Sequence, residues 1–204
     1  MELQVRLFID FWNFQLNWNS RTNKDPLDWR KAPIGLVSAA QAQLDTAGMG
    51  DSLRVAETRV YASYDTANPE DRRLKGWLDS FLDRQPGMRV FTRERRSQPR
   101  PIRCSSCGYE VSLCSNCSQL YRHSAEKGVD SAIVTDLLSL AWESAFDVAI
   151  LVSSDADYVP AVERLQEKGF KIINATWSGY GHHLARTCWA SFEIDSLIPS
   201  LRRT

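Results

Sequence analysis

Two periodicities of hydrophobic residues alternate along the chain and predict strands that alternate with helices. Short apolar runs predict strands at Leu3–Ile9, Val55–Ala62, Met88–Thr92, Val148–Val152 and Phe170–Ala175, with Phe192–Ile194 as a candidate for a last one. Apolar residues at helical spacing predict helices at Ile34–Leu44, after Asn68, and at Val129–Trp142, Val159–Glu167 and His182–Trp189. This alternation is typical of an α/β fold with a parallel sheet covered by helices on both faces.

Two stretches interrupt the alternation. Phe11–Pro33 is predicted to be a long connection, whose aromatic side chains either belong to the core or stack on nucleic-acid bases. Arg93–Tyr121 is basic, contains prolines and four cysteines, and shows neither helical nor strand periodicity. We therefore expect one domain over residues 1–204, with a small insertion at residues 99–122.

The composition indicates a globular protein. The 204 residues suffice for one sizeable domain, and 25 basic side chains balance 25 acidic ones, so a polyanionic partner would need a local basic patch. No apolar run reaches the roughly 18 residues that cross a bilayer, and the first residues lack a secretory signal pattern. We therefore expect a cytoplasmic protein that does not bind membranes, with cysteines that are reduced or bound to metal.

Acidic side chains follow two of the predicted strands. Asp10 ends the first strand, Asp155 and Asp157 follow the fourth, and Asp130 opens the helix before the fourth. The carboxyl ends of parallel strands meet at one edge of the sheet, where like charges are stable only with cations between them. Carboxylate oxygens suit Mg²⁺ or Mn²⁺. In the alternative interpretation, Asp155 caps the next helix and Asp157 is a solvated turn residue.

A further acid, Asp136, lies on an apolar stripe of the helix that Asp130 opens. The helical repeat places it roughly 120° around the helix from Asp130, so both cannot face one metal equally well. A hydrogen bond to the backbone of a strand or loop would explain Asp136 without catalysis, and we rank it below the other acids.

Four cysteines form a C-x2-C-x6-C-x2-C array of two knuckles: Cys104, Cys107, Cys114 and Cys117. This spacing can deliver four thiolates to a tetrahedral Zn²⁺, and a site closed by four cysteines is structural rather than catalytic. We therefore predict a zinc ribbon in the insertion, against the alternatives of a redox dithiol pair or free thiols. Cys188 stands alone and is predicted to be an ordinary buried cysteine.

Five arginines surround the start of the insertion, with only one acid among them: Arg93, Arg95, Arg96, Arg100 and Arg103. The insertion leaves the carboxyl end of the third strand, at the edge of the sheet that carries the acids. A basic arm beside a metal site suits a phosphate backbone, so we predict that these arginines bind nucleic acid. The alternative is a solvated loop whose charge is incidental.

Three segments stand in order along the chain: Leu7-Phe8-Ile9-Asp10-Phe11-Trp12-Asn13, Lys127-Gly128-Val129-Asp130 with Asp136-Leu137-Leu138, and Leu151-Val152-Ser153-Ser154-Asp155-Ala156-Asp157-Tyr158. Together they resemble the NYN domain, the LabA-like members of the PIN-like nuclease superfamily. The resemblance implies a Rossmann-like three-layer sandwich with a central, mostly parallel sheet. It also implies metal-dependent hydrolysis of phosphodiester bonds, usually in RNA.

The functional positions of that family match seven residues here: Asp10, Asp130, Asp155 and Asp157 as metal-binding acids, Asn13 and Ser153 as polar accessory residues, and Asp136 as an additional acid. Phe11 and Trp12 depart from the family pattern, which often has small residues there. This departure bears on the shape of the substrate entrance and not on the metal site.

We therefore predict a Mg²⁺- or Mn²⁺-dependent endoribonuclease whose zinc ribbon helps to bind single-stranded or structured RNA. The alternative is a catalytically silent RNA- or protein-binding module with the same fold. A Rossmann-like phosphatase is disfavoured because Phe11-Trp12 follows Asp10 where an Asp-x-Asp is needed, and a dehydrogenase because no G-x-G-x-x-G follows a strand. The number of catalytic metals and the oligomeric state, a homodimer included, stay open.

Overall fold

The computed structural model describes residues 1–95, 97–124 and 128–203. Its strands are, in chain order, β1 (Glu2–Asp10), β2 (Ser52–Asp65), β3 (Met88–Arg95), β4 (Ser97–Pro99), β5 (Ile102–Arg103), β6 (Glu110–Val111), β7 (Arg122–Ser124), β8 (Val148–Val152), β9 (Lys171–Thr176) and β10 (Ala190–Glu193). Its α-helices are α1 (Phe11–Thr22), α2 (Ala32–Thr46), α3 (Pro69–Trp77), α4 (Val129–Trp142), α5 (Val159–Glu167), α6 (His182–Thr187) and α7 (Ile198–Leu201). Short turns of other helix types lie at Leu78–Leu82, Ala156–Tyr158 and Ile194–Leu197.

Within the described residues, six strands form one sheet in the order β3-β2-β1-β8-β9-β10, and every neighbouring pair runs parallel. The chain adds β2 and β3 on one side of β1, then crosses back and adds β8, β9 and β10 on the other. The direction reverses between β1 and β8, where connections leave toward opposite faces and a crevice forms at the carboxyl ends. This architecture confirms the predicted Rossmann-like α/β sandwich.

Helices cover both faces of the sheet, as predicted. Helices α1, α2 and α3 pack over one hydrophobic core, and α4, α5 and α6 pack over the other. Strand β8 lies in the middle of the sheet and is buried along its whole length. Because both of its faces meet a helical layer, the strand carries a continuous run of aliphatic side chains instead of an alternating pattern.

The predicted connection Phe11–Pro33 is wrong in its first half, which forms α1. The carboxylate of Asp10 caps this helix by accepting a hydrogen bond from the amide three residues further on, at 3.1 Å. Phe11, Phe14 and Trp18 follow at helical spacing and are buried. These three side chains therefore belong to the core, which was one of the two alternatives for this stretch.

The other predicted elements are present, and several of them have shifted ends. Strand β2 is longer than predicted at both ends, and α6 stops at Thr187 before the predicted end at Trp189. The last strand is β10, which begins two residues earlier than predicted and joins the edge of the sheet beside β9.

The segment between β3 and α4 forms two small antiparallel pairs, β4 with β7 and β5 with β6. A bridge between Leu113 and Leu120 closes a further hairpin. Because β3 ends and α4 begins at the carboxyl edge of the main sheet, both ends of this segment lie at the edge that holds the crevice. No helix in the described part of the chain is long and apolar enough to span a bilayer.

Candidate metal centre at the carboxyl edge of the sheet

Three carboxylates converge at the crevice between β1 and β8. One oxygen each from Asp130, Asp155 and Asp157 lies within 4.8 Å of the others. Asp130 stands in the first turn of α4, which starts after Gly128 in a left-handed conformation (φ 86°). Asp155 accepts a hydrogen bond from the amide of Asp157 at 2.9 Å and so caps the turn after β8. Asp155 is therefore both a cap and a member of the acidic group.

This acidic group has the properties of a cation site. Among the described residues, none of the three carboxylates forms an ion pair with a lysine or arginine. Like charges at this separation repel each other, so a cation between them stabilises the arrangement. Clustered carboxylate oxygens suit hard divalent cations. The group can therefore hold a divalent metal.

Asp10 lies beside the acidic group and is connected to it through Tyr158. Asp10 is only 7 % exposed, and its Oδ2 is 3.3 Å from Ser153 Oγ and 3.4 Å from the Tyr158 hydroxyl. The same hydroxyl donates a hydrogen bond to Asp130 Oδ1 at 2.9 Å. One buried phenol thus bridges the carboxylate at the end of β1 and the carboxylate at the start of α4.

Tyr158 is a site residue that the sequence pattern did not reveal. Its side chain is fully buried. Burial first, and then the negative charges of Asp10 and Asp130, raise the pKa of its hydroxyl far above the usual value. The hydroxyl therefore stays protonated and donates its hydrogen to a carboxylate. Its place directly after Asp157 was the available signal, but a tyrosine there is equally typical of a core position.

Asn13 and Ser153 hold the two strand ends together. The side-chain oxygen of Asn13 accepts a hydrogen bond from the amide of Ser154 at 3.1 Å, which ties α1 to the turn after β8. Ser153 donates to Asp10 and accepts from the amide of Asp155 at 3.2 Å. The side chain of Ser153 thus contacts Asp10 directly, whereas that of Asn13 contacts the backbone next to Asp155.

Asp136 is placed away from the acidic group. Its Oδ2 accepts hydrogen bonds at 2.7 Å from the guanidinium of Arg59 and at 2.7 Å from the hydroxyl of Tyr61, both on β2. Arg59 in turn donates to Glu57 at 2.6 Å. The partners of Asp136 are therefore side chains of a strand, where the sequence suggested a backbone partner.

The cysteines form two separate knuckles of the same geometry. In the first, the Cys104 amide donates to the Tyr109 carbonyl at 2.8 Å, and the Gly108 amide donates to the Cys104 carbonyl at 2.9 Å. The second repeats these bonds around Cys114, with Ser118 in place of the glycine. Both Gly108 (φ 73°) and Ser118 (φ 55°) adopt left-handed conformations.

Backbone amides in each knuckle point at the first sulfur. Hydrogen bonds from the amides of Cys107 and Ser106 lower the pKa of the Cys104 thiol, and the second knuckle acts in the same way on Cys114. Within the described residues, the four sulfurs do not form one group of ligand atoms within 4.8 Å. The structure thus places Cys104 beside Cys107 in one knuckle and Cys114 beside Cys117 in the other, all as free thiols.

The arginines predicted to bind nucleic acid have different surroundings. Arg93, Arg100 and Arg103 are exposed. Arg95 instead donates to the buried carboxylate of Asp71 at 2.7 Å. Arg96 lies outside the described residues.

Arg100 and Arg103 line a groove of about 690 Å³ on the insertion, together with Tyr121 and Arg122. The sequence analysis did not single out these last two residues. Arg122 follows the last cysteine knuckle and continues the basic character of the segment, which was the signal available for it.

Comparisons with known proteins bear on the fold and on the family. The model of the NYN domain family matches residues 4–194. A solved structure of a protein of unknown function from Vibrio parahaemolyticus superposes with a TM-score of 0.54 at 18 % identity, covering 94 % of this chain and 93 % of that one. At this identity the likeness concerns the fold alone. No curated protein matches the chain.

Proposed function

The chain belongs to the NYN domain family, and from this premise we propose that it is a divalent-metal-dependent endoribonuclease. The observation that carries the proposal is the convergence of Asp130, Asp155 and Asp157 in the crevice at the switch point of the sheet. Members of the family are generally nuclease-related, and ligands of open α/β sheets bind in this crevice. The substrate is an RNA strand whose scissile phosphate lies over the acids.

The donor set fits Mg²⁺ or Mn²⁺, because all three ligands are carboxylate oxygens and no basic side chain among the described residues neutralises them. When bound, such a cation lowers the pKa of a coordinated water and offsets negative charge on the phosphate. Asp10 adds negative charge at the rim of the group and is held by Ser153 and Tyr158. Asn13 and Ser153 keep the two strand ends at a fixed separation and so orient the acids.

The insertion at residues 99–122 binds the substrate in this proposal. Arg93, Arg100 and Arg103 are exposed and contact phosphates by charge, and Arg96 keeps the role predicted for it. Arg95 is excluded from this set because its guanidinium holds Asp71. Such contacts act on any RNA sequence and weaken as salt rises.

Zinc organises the insertion in the same proposal. Each knuckle fits a pair of zinc ligands, since amide N–H groups already point at a sulfur that must be anionic to bind metal. Cys104, Cys107, Cys114 and Cys117 would hold one Zn²⁺ once the two hairpins approach each other. The ion has a structural role and stands outside the hydrolytic site.

Incubation of the purified protein with labelled RNA and DNA, with Mn²⁺, Mg²⁺ or a chelator, tests the proposal. We expect metal-dependent cleavage of RNA that Asp155→Asn abolishes. Glu143→Gln is the matched control, because this exposed acid lies at the opposite end of α4, about 20 Å from Asp130. Binding of RNA without cleavage by the wild type under every metal condition would favour the catalytically silent module instead.

A further inference from the structure

A groove of about 460 Å³ lies between α1 and α3 on the face of the sheet that α2 also covers. Both helices begin at the carboxyl edge, α1 directly after Asp10 and α3 shortly after the end of β2. The groove therefore starts beside the acidic group and runs down the side of the domain. Its volume falls within the range of pockets that bind small molecules. The lining residues that matter here are Trp12, Gln15, Asn19, Glu70, Asp71 and Trp77.

Trp12 lines the upper end of this groove, and its ring is held in place. Its indole N–H donates to the carbonyl of Ser63 at 2.7 Å, at the carboxyl end of β2. The guanidinium of Arg95 lies 5.2 Å from the centre of the indole ring, and Asp71 holds that guanidinium. An aromatic ring anchored in this way loses no rotamer freedom when a second ring stacks on it.

Gln15 and Asn19 lie one and two helical turns below Trp12 and supply the polar groups of the groove. The amide of Gln15 donates to the side-chain oxygen of Asn19 at 2.9 Å. Whichever way the two amides are oriented, this single bond leaves one whole NH2 group and one carbonyl oxygen without a partner among the described residues. An adjacent donor and acceptor match the edge of a nucleobase, which presents the same two kinds of group.

We propose that this groove binds one nucleobase of the RNA strand, stacked on Trp12 and hydrogen-bonded at its edge by Gln15 and Asn19. The inference rests on the proposed function, since the occupied strand is the one whose phosphate reaches the acids. The groove suits a base better than a phosphate because its walls carry the carboxylates of Glu70 and Asp71 as well as basic residues. This assigns Trp12, one of the two bulky residues that depart from the family pattern, a role at the substrate entrance.

Two oligomers of equal length test the proposal, an octauridylate and the same ribose-phosphate backbone without bases. Binding is measured by fluorescence anisotropy in buffer without added Mg²⁺ or Mn²⁺, so that cleavage is not supported and the zinc of the insertion is not stripped. We expect Trp12→Ala to weaken binding of the octauridylate roughly tenfold, the size of a lost stacking contact, and to leave binding of the abasic oligomer unchanged. Trp142→Ala is the matched control, because this tryptophan is 59 % exposed at the far end of α4 and should affect neither oligomer.

A second variant covers the case in which Trp12→Ala does not fold. Gln15→Met preserves the length of a partly exposed helical side chain and removes its amide, so it should weaken the octauridylate severalfold and leave the abasic oligomer unchanged. Equal loss on both oligomers means that the groove only supports the fold. If the variants bind both oligomers as tightly as the wild type does, which is the result expected of a protein-binding groove, the proposal is overturned. A wild-type protein that binds neither oligomer overturns it as well.

The outcome is separate from that of the nuclease assay. Base-dependent binding that needs Trp12, in a protein that never cleaves RNA, supports the groove and contradicts the hydrolytic function. Metal-dependent cleavage combined with binding that is insensitive to Trp12 and Gln15 supports the function and contradicts the groove.

Discussion

Replacing Arg95 by methionine should destabilise the fold, although this arginine was predicted from its neighbours to bind RNA. Its Nη2 donates to Asp71 Oδ2 at 2.7 Å, and the carboxylate also accepts from the amide of Asp65 at 2.7 Å. The side chain of Asp71 is 7 % exposed and that of Arg95 is 21 % exposed. The substitution therefore leaves a nearly buried carboxylate with one hydrogen bond fewer and, among the described residues, no ion-pair partner.

The magnitude follows from the burial of the two partners. Removing one partner of a fully buried ion pair costs about 3–5 kcal/mol, because the remaining charge stays desolvated. Water can reach about a fifth of Arg95, so we expect about 2–3 kcal/mol. For a domain of this size each kcal/mol lowers the melting temperature by roughly 2–4 °C, which gives a decrease of about 4–12 °C.

Urea unfolding of a set of variants measures this effect. Arg93→Met, on the same strand and exposed, is the control and should change stability by less than about 0.5 kcal/mol. Adding Asp71→Asn to Arg95→Met should recover part of the loss, because the buried charge is then gone. An Arg95→Met protein as stable as the wild type would refute the structural role. Equal weakening of octauridylate and abasic-oligomer binding in that protein would return Arg95 to the phosphate-binding set, because a loss through Trp12 would affect the octauridylate alone.

The remaining predictions concern the metals, the thiols and one ion pair. Reduced protein should carry about one zinc per chain and lose it in Cys104→Ser, and metal analysis that finds no zinc contradicts the ribbon. After chelation, a disulfide reagent at pH 8 should label the knuckle thiols but reach Cys188 only on unfolding, because burial raises the pKa of that thiol to about 12. In metal-free buffer Asp155→Asn should melt at or above the wild-type temperature, since like-charge repulsion is relieved, and a large decrease would mean a structural role. Burial acts to raise the pKa of Asp195, but the hydrogen bond from the amide of Ser178 and the charge of Arg21 outweigh it and lower that pKa. Asp195→Asn should therefore cost stability at pH 7, and the difference should vanish as the pH falls below the ordinary value of 3.8 toward the lowered pKa.

Strong periodicity made the central elements of the fold predictable. Helix α4 and strand β8 have the bounds expected from the sequence. The helix is long enough for its apolar residues to show a clear helical spacing, and the strand is a continuous apolar run. The positions of Asp10, Asp155 and Asp157 at the strand ends followed from the same pattern. Their placement at one edge needed only the rule that parallel strands align their carboxyl ends.

Helix α1 was missed because its residues are weak helix formers. The stretch is rich in asparagine and aromatic residues, which favour helices less than alanine or leucine does. Its stability comes from tertiary packing of the buried Phe11, Phe14 and Trp18, and from the cap that Asp10 provides. None of these contributions is local enough to show in the propensity of the segment.

The two acids of helix α4 show why a charge pattern alone does not define a site. Asp130 and Asp136 share one helix, and the family resemblance predicted a functional role for both. What separates them is the surface opposite each one, which the helix itself does not encode. Asp136 faces Arg59 on β2 and is neutralised by an ion pair at 2.7 Å. Asp130 faces two other carboxylates across the crevice, and its hydrogen-bond partner among the described side chains is the neutral hydroxyl of Tyr158. Because no basic side chain in the described residues offsets the charge of Asp130, this carboxylate can take part in holding a cation, whereas Arg59 already balances the charge of Asp136.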